Sequence, residues 1–180
     1  MPALRFFVLP VLFAMLSGGC LYESPAKGAT DGTEDIRRLR ELTASTTPAE
    51  AVALMSDKTW RRVQGSSGQA VHYSTQDGRD FLWLHGEARI YRGRWKVETG
   101  PDGTGQSRTR LCFRYPDDAI NPLSNTPGDQ WHCWNAGMVF HFVRERVAGD
   151  PLDLAQRSQA PFLLDLRVYT ISQLQARLPR

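Results

Sequence analysis

Arg89-Ile90-Tyr91-Arg92-Gly93-Arg94-Trp95-Lys96-Val97-Glu98-Thr99 alternates charged and uncharged residues from Tyr91 onward. Tyr91, Gly93, Trp95, Val97 and Thr99 share one side, and Arg92, Arg94, Lys96 and Glu98 share the other. A period of two belongs to a half-buried strand, and a clean wet face belongs to an antiparallel sheet. The isolated Gly93 predicts a bend or bulge. Arg110 to Tyr115 repeats the scheme, with Leu111, Phe113 and Tyr115 inward and Arg110 and Arg114 outward. Between the two runs, Gly100-Pro101-Asp102-Gly103-Thr104-Gly105 has the composition of a flexible hairpin loop.

Working outward, the same alternation predicts strands at Trp60–Val63, Val71–Ser74, Phe81–His85, Trp131–Trp134, Met138–Arg144 and Leu164–Thr170. Asp77-Gly78 is a turn signal between the second and third strands of the domain. Upstream, Glu34 to Thr43 places Ile36, Leu39 and Leu42 on one helical face. Thr47-Pro48-Ala49-Glu50 combines a capping threonine, proline at the first helical position and glutamate three residues after the cap. That predicts a helix to Met55, burying Val52 and Met55. Ile171, Leu174 and Leu178 predict a terminal helix. The fold expected is mainly β: a small antiparallel β-barrel or sandwich of seven or eight strands, with short N-terminal helices and a short C-terminal helix.

The 180 residues, 41% hydrophobic and 23% charged, exclude a polytopic membrane protein, a collagen-like chain and a wholly disordered one. One domain, residues 34–180, fits the length. A net charge of +3 does not point to nucleic acid.

Residues 1–19 read as a signal peptide. Arg5 is followed by the apolar run Phe6 to Leu16, too short for a bilayer core, and then by Ser17, Gly18, Gly19 and Cys20. The segment resembles a bacterial lipoprotein signal, which implies lipidation of Cys20 as the new N-terminus. Ser17 stands where that family usually has leucine, and Ser17 with Gly19 also suits an ordinary signal peptidase. Residues 20–33, rich in Ser, Pro, Gly, Thr and Ala, read as a flexible tether. Leu21 after Cys20 is not an inner-membrane-retaining aspartate. The resemblance therefore implies the periplasmic face of the outer membrane, the alternative being a soluble periplasmic or secreted protein.

With Cys20 lipidated, Cys112 and Cys133 remain as a pair in an oxidising compartment. Their bond closes a loop worth about 3 kcal/mol. Two unpaired thiols are the alternative, and His132 beside Cys133 lacks a partner at metal-ligand spacing.

Gly93-Arg94-Trp95-Lys96-Val97, Leu111-Cys112-Phe113-Arg114-Tyr115 and Trp131-His132-Cys133 give a Gly-x-Trp strand followed by two cysteine strands. Over residues 60–145 this is similar to small exported alphaproteobacterial proteins of unknown function, and more distantly to lipocalin-like envelope proteins. The resemblance implies a compact barrel-like fold and brings no catalytic residue. The lipocalin-like group includes protease and lysozyme inhibitors.

No pattern assigns a catalytic residue, a metal or a cofactor. His72, His85, His132 and His141 are scattered, and His85 and His141 alternate with apolar neighbours as core histidines do. No Gly-x-Ser-x-Gly elbow occurs. Asp117-Asp118 reads as a solvated turn in the long Pro116 to Gln130 loop, which the cysteines flank and which is a candidate binding element. Pairing of the two basic strands gathers Arg92, Arg94, Lys96, Arg108, Arg110 and Arg114 into a candidate face for an anionic glycan, a lipid headgroup or an acidic protein. A charged face that guards a sheet edge is the plainer reading. Trp83, Trp95, Trp131 and Trp134 suit a core or the lining of a cavity.

The function expected is a non-enzymatic binding or structural module on the envelope, joined to the membrane by its lipid. The alternatives are an inhibitor of a periplasmic or secreted enzyme, with the Cys-bounded loop in that enzyme's cleft, and, third, a hydrolase of unrecognised type.

Overall fold

The computed structural model describes residues 32–63 and 68–179. The signal peptide, Cys20 and the tether up to residue 31 lie outside the described residues. The tether's last two residues do not: helix α1 spans Gly32–Ser45. Helix α2, Pro48–Met55, carries the expected capping box, with the Thr47 hydroxyl accepting from the Glu50 N–H and the Glu50 carboxylate accepting from the Thr47 N–H. Its buried residues are Ala51 and Met55, while Val52 is exposed. At a helical step of 100° the buried stripe runs through positions four apart, and Val52 falls just off it.

Seven strands follow in one antiparallel sheet that curls into a half-barrel. They are β1 (Lys58–Val63), β2 (Gln69–Ser74), β3 (Arg79–Leu84), β4 (Ile90–Pro101), β5 (Ser107–Arg114), β6 (His132–Asn135) and β7 (Val143–Ala148). The first six form a meander, and β7 returns beside β1, giving the order β6-β5-β4-β3-β2-β1-β7. The strand expected at Met138–Arg144 is instead helix α3, Ala136–Phe142, running directly into β7. The Asn135 side chain caps α3 by accepting from the Met138 N–H at 3.2 Å. Seven helical residues span about 10 Å, and with no linker on either side α3 bridges the sheet's two edges. His141 therefore lies on a helix.

Both faces of the sheet are covered. On the concave face Trp60, Ala70, Leu82, Tyr91, Trp95, Leu111 and Phe113 pack with Ala51, Met55, Ala136 and Phe140 of α2 and α3. On the convex face Val71, Phe81, Trp83 and Ile90 pack with Leu152, Leu154, Leu164, Ile171 and Leu174. The strand expected at Leu164–Thr170 is not one. Leu164 makes an isolated bridge to His85, and its neighbours Leu163, Leu166 and Val168 are exposed. Alternation there reflects an irregular strap pressed on the sheet at single residues. The strap ends in helix α4, Ile171–Ala176, with its own capping box on Thr170 and Gln173. Glu145 of β7 accepts from the Ile171 N–H at 2.9 Å and fixes the start of α4 against the sheet.

Gly93 marks no bulge. β4 pairs with β3 through Arg94 and with β5 from Arg94 onward, without a register shift. The glycine is required by close approach, because a Cβ there lies 2.6 Å from the Tyr115 ring and from the Arg114 carbonyl oxygen. The one register shift of β1 lies between Arg61 and Arg62, opposite β7.

Cys112 and Cys133 form a disulfide between directly opposed residues of β5 and β6. It closes the chain over a separation of 21 residues and ties the four-residue edge strand to the sheet. A Cys112→Ser/Cys133→Ser double variant is expected to lose about 2–4 kcal/mol. Urea unfolding measures this, and a midpoint unchanged from wild type contradicts it.

Candidate functional site

Chemistry gathers on the concave face of β1, β2 and β3, where alternation leaves Trp60, Arg62, His72, Ser74 and Asp80 on the inner side. The register sets Trp60 opposite His72 and Ser74 opposite Asp80. His72 and Asp80 are both fully buried. Three donors converge on the Asp80 carboxylate: His72 Nδ1 at 3.0 Å, the Ser74 hydroxyl at 2.8 Å and the Tyr115 hydroxyl at 2.7 Å. Ser74 accepts in turn from the Trp60 indole N–H at 2.9 Å. An ionised carboxylate only accepts, so His72 carries its proton on Nδ1 and presents the Nε2 lone pair on its other side. Its ring stacks on Trp60, with centroids 3.9 Å apart and planes 7° from parallel.

Burial holds the His72 pKa below the ordinary histidine value, with Asp80 opposing that effect. Burial likewise raises the Tyr115 phenol well above its usual range, and Asp80 adds to it. Burial works against the charge on Arg62, whereas Asp80 supports it. The interior is therefore a low-dielectric site containing a neutral, oriented imidazole beside a carboxylate and a guanidinium.

His72 Nε2 is buried and has no partner. The His72 residue is among those that line a cavity of about 150 Å³ whose wall includes Trp60, Phe113, Trp134, Met138 and Phe142, with Arg62 as the charged member. Leu123, from the 116–130 loop, closes another side. Arg62 and Leu123 also border a second cavity of about 300 Å³, with Gln69, His85 and Glu87 around it. The two spaces share Arg62 and Leu123 in their walls.

The linkage of His72 to stability has a definite sign. A histidine with a depressed folded pKa contributes fully above the unfolded value of about 6.5, and that contribution is lost as pH falls through the lower folded value. Wild type is thus expected to lose more stability between pH 7.5 and pH 5.5 than His72→Gln does. Urea unfolding at both pH values gives the double difference, and parallel losses contradict the prediction.

The expected basic face lies on the outer side of β4 and β5, remote from the chamber in register and chemistry. Lys96 pairs with Glu98 at 2.7 Å and Arg110 pairs with the same carboxylate. Arg108 sits 3.5 Å from Asp102. Arg92 donates to the Arg157 carbonyl and lies over Phe81. Lys96 and Arg114 flank the Trp131 ring at 4.7 and 4.8 Å. Arg94 is exposed beside Arg79 and Asp117. Much of the basic charge is therefore spent on local pairs. Glu98 also lies near Cys112 and Cys133, but sulfurs joined to each other offer no thiolate to a metal. Asp118 pairs with Arg89 at 2.7 Å.

Along the sequence His72 is one of four scattered histidines, and nothing in it groups Asp80, Ser74, Tyr115 and Arg62 with that residue. The available signal was Asp80 itself, an acidic residue within the run Arg79–Leu84 and in step with Leu82 and Leu84 on the inward side. Its closeness to the Asp77-Gly78 turn disguised it as a turn residue.

No protein-family model, curated protein or solved structure matches the chain, so its chemistry rests on its own geometry.

Proposed function

We propose that this protein is a non-enzymatic binding module that holds a small, largely apolar molecule inside its half-barrel. The observation that carries the reading is the aromatic-lined chamber itself, walled by Trp60, Phe113, Trp134 and Phe142 with buried His72 behind it. Small-molecule sites are concave and mostly apolar, with a few polar groups in the wall. A chamber of about 150 Å³ matches one aromatic ring, since an apolar cavity of about that size takes benzene.

The long loop supports binding over insertion into another enzyme. Tyr115 N–H donates to the Gly128 carbonyl at 2.8 Å, and Gly128 N–H donates to the Ala119 carbonyl at 3.1 Å. Asn121 is fully buried, and Leu123 packs on the concave core. The loop contributes Leu123 to the chamber wall. A hydrolytic reading needs a nucleophile near Nε2, but the nearest hydroxyl in the network, Ser74, already donates to Asp80. Among the described residues, those that border the chamber carry no hydroxyl or thiol.

In this reading the N-terminal signal exports the chain and Cys20 joins it to the outer membrane. The disulfide is compatible with export, and no helix among the described residues is long and apolar enough to cross a membrane. The basic strands remain a secondary surface for an anionic partner.

Toluene tests the chamber. Titration of wild type is expected to change the tryptophan fluorescence, because Trp60 and Trp134 border the space, and to raise the melting temperature. Val139→Trp, which fills the chamber from α3, is expected to abolish both responses. No response of wild type at millimolar toluene, or equal responses of both proteins, overturns the proposal.

A further inference from the structure

The outer side of the sheet carries a row of like charge that the fold does not require. Arg79 of β3 stands directly opposite Arg94 of β4, and Arg94 stands directly opposite Arg114 of β5. Arg92 lies two residues along on the same side, opposite Phe81. Like charges placed directly across an antiparallel pair destabilise it, and a face kept soluble by charge works best with the two signs interspersed. Beside these guanidinium groups stand Asp77, paired with Arg79 at 2.9 Å, and Asp117. Positive charge in excess therefore collects here, whereas Lys96, Arg108 and Arg110 have carboxylates of their own.

The same residues shape a groove of about 240 Å³, lined by Arg79, Arg92 and Arg94 with Phe81, Pro116 and Asp117. Two of the three are held in place. Asp77 engages Arg79 through Nε, the Arg157 carbonyl engages Arg92 through Nη2, and both groups lie over the Phe81 ring, at 5.8 and 5.5 Å. A guanidinium has five N–H donors, so each keeps donors beyond the contact that positions it. Arg94 is exposed, and among the described residues its side chain makes no ion pair or hydrogen bond. Two anchored forks and one open fork around a groove suit an oxyanion with more acceptors than a carboxylate offers. A phosphate monoester presents three terminal oxygens and about 1.5–2 negative charges near neutral pH, and guanidinium forks match its geometry.

We propose that this groove binds the terminal phosphate of a phosphate monoester, with Arg94 as the main contact and Arg79 and Arg92 beside it. The proposal deepens the reading of the basic strands as a surface for an anionic partner and is independent of the inner chamber. A diester, with one charge and two free oxygens, fits less well. A small soluble ester and a phospholipid headgroup carry the same chemistry, and the test separates them.

Calorimetry at physiological ionic strength compares glycerol 3-phosphate with dimethyl phosphate. Co-sedimentation compares phosphatidylcholine vesicles containing phosphatidic acid, a monoester, with vesicles containing phosphatidylglycerol, a diester. The monoester is expected to bind at least about tenfold more tightly than the diester. Arg94→Gln is expected to weaken monoester binding about tenfold or more, and Arg94→Lys to restore only part of it, because an ammonium lacks the fork. The charge-matched Arg38→Gln on α1 should bind as wild type does. Arg94→Gln should melt at or above the wild-type temperature, since it removes a repelling charge, and this separates lost binding from lost folding. Binding of glycerol 3-phosphate without a preference for phosphatidic acid vesicles assigns the site to soluble esters. The reverse pattern assigns it to a headgroup. Equal affinity for monoester and diester, or binding unchanged by Arg94→Gln, overturns the phosphate site and leaves only a diffuse basic surface. Binding of no ester and no vesicle overturns that surface as well, while the toluene response reports on the chamber separately.

Discussion

Replacing Asp80 with alanine is expected to lower the unfolding free energy by about 3–5 kcal/mol, the loss seen when one member of a buried charged network is removed. The carboxylate is fully buried and accepts from three side chains, two on β2 and one just past the end of β5. Alanine leaves the Nδ1–H of His72 and the hydroxyls of Ser74 and Tyr115 without an acceptor, and each such group costs about 1–3 kcal/mol when stranded in the interior. It also removes the negative charge that supports Arg62. A domain of this size has only about 5–15 kcal/mol to lose, so the variant sits near the edge of folding. Asp80→Asn keeps acceptor oxygen and volume and is expected to lose distinctly less. Urea unfolding of both variants is the measurement. An alanine variant within about 1 kcal/mol of wild type contradicts the network described here.

Gly128→Ala is expected to be comparably damaging, for steric reasons. A Cβ at this position lies 1.8 Å from the Asp118 carbonyl oxygen and 2.5 Å from that of Tyr115. Both obstacles are backbone, so no side-chain rotation relieves them. Overpacking of a well-filled site costs about 1–3 kcal/mol and occasionally more, and here it also breaks the hydrogen bonds that fold the loop back on itself. Because Leu123 on that loop borders both cavities, the toluene response should weaken along with the melting temperature. A variant with wild-type melting and wild-type response shows that the loop does not hold the chamber wall.

Much of the strand framework was legible because it is local physics. Alternation in β4 and β5 reports water on one side of a pleat, and the observed inward residues Tyr91, Trp95, Leu111 and Phe113 are the ones it named. The capping box of α2 is likewise complete within four consecutive residues. Legibility failed where a neighbour on the opposite side decided the outcome. Met138 to Phe142 alternates like a strand, yet it is helical because it crosses between two sheet edges that the sequence does not show to be close. Leu164 to Thr170 alternates without forming a strand, since it meets the convex core only at Leu164 and, partly buried, at Tyr169.

The sequence alone determined the β class, the short helices and the basic outer strands, whereas the pairing of Cys112 with Cys133, expected there only with Cys20 set aside, is shown by the structure. The first three follow from spacing and composition along one chain. Only the tertiary structure decided that β7 returns beside β1, that the long loop folds inward, and that His72, Asp80, Tyr115 and Arg62 share one buried site. Those residues come from separate strands and a strand end. Their shared inner face depends on the register of each pair and on the curl of the whole sheet. A polar residue at an inward position is ambiguous until its partners across the sheet are known. That is why the strands could be read from the sequence and the chamber they enclose could not.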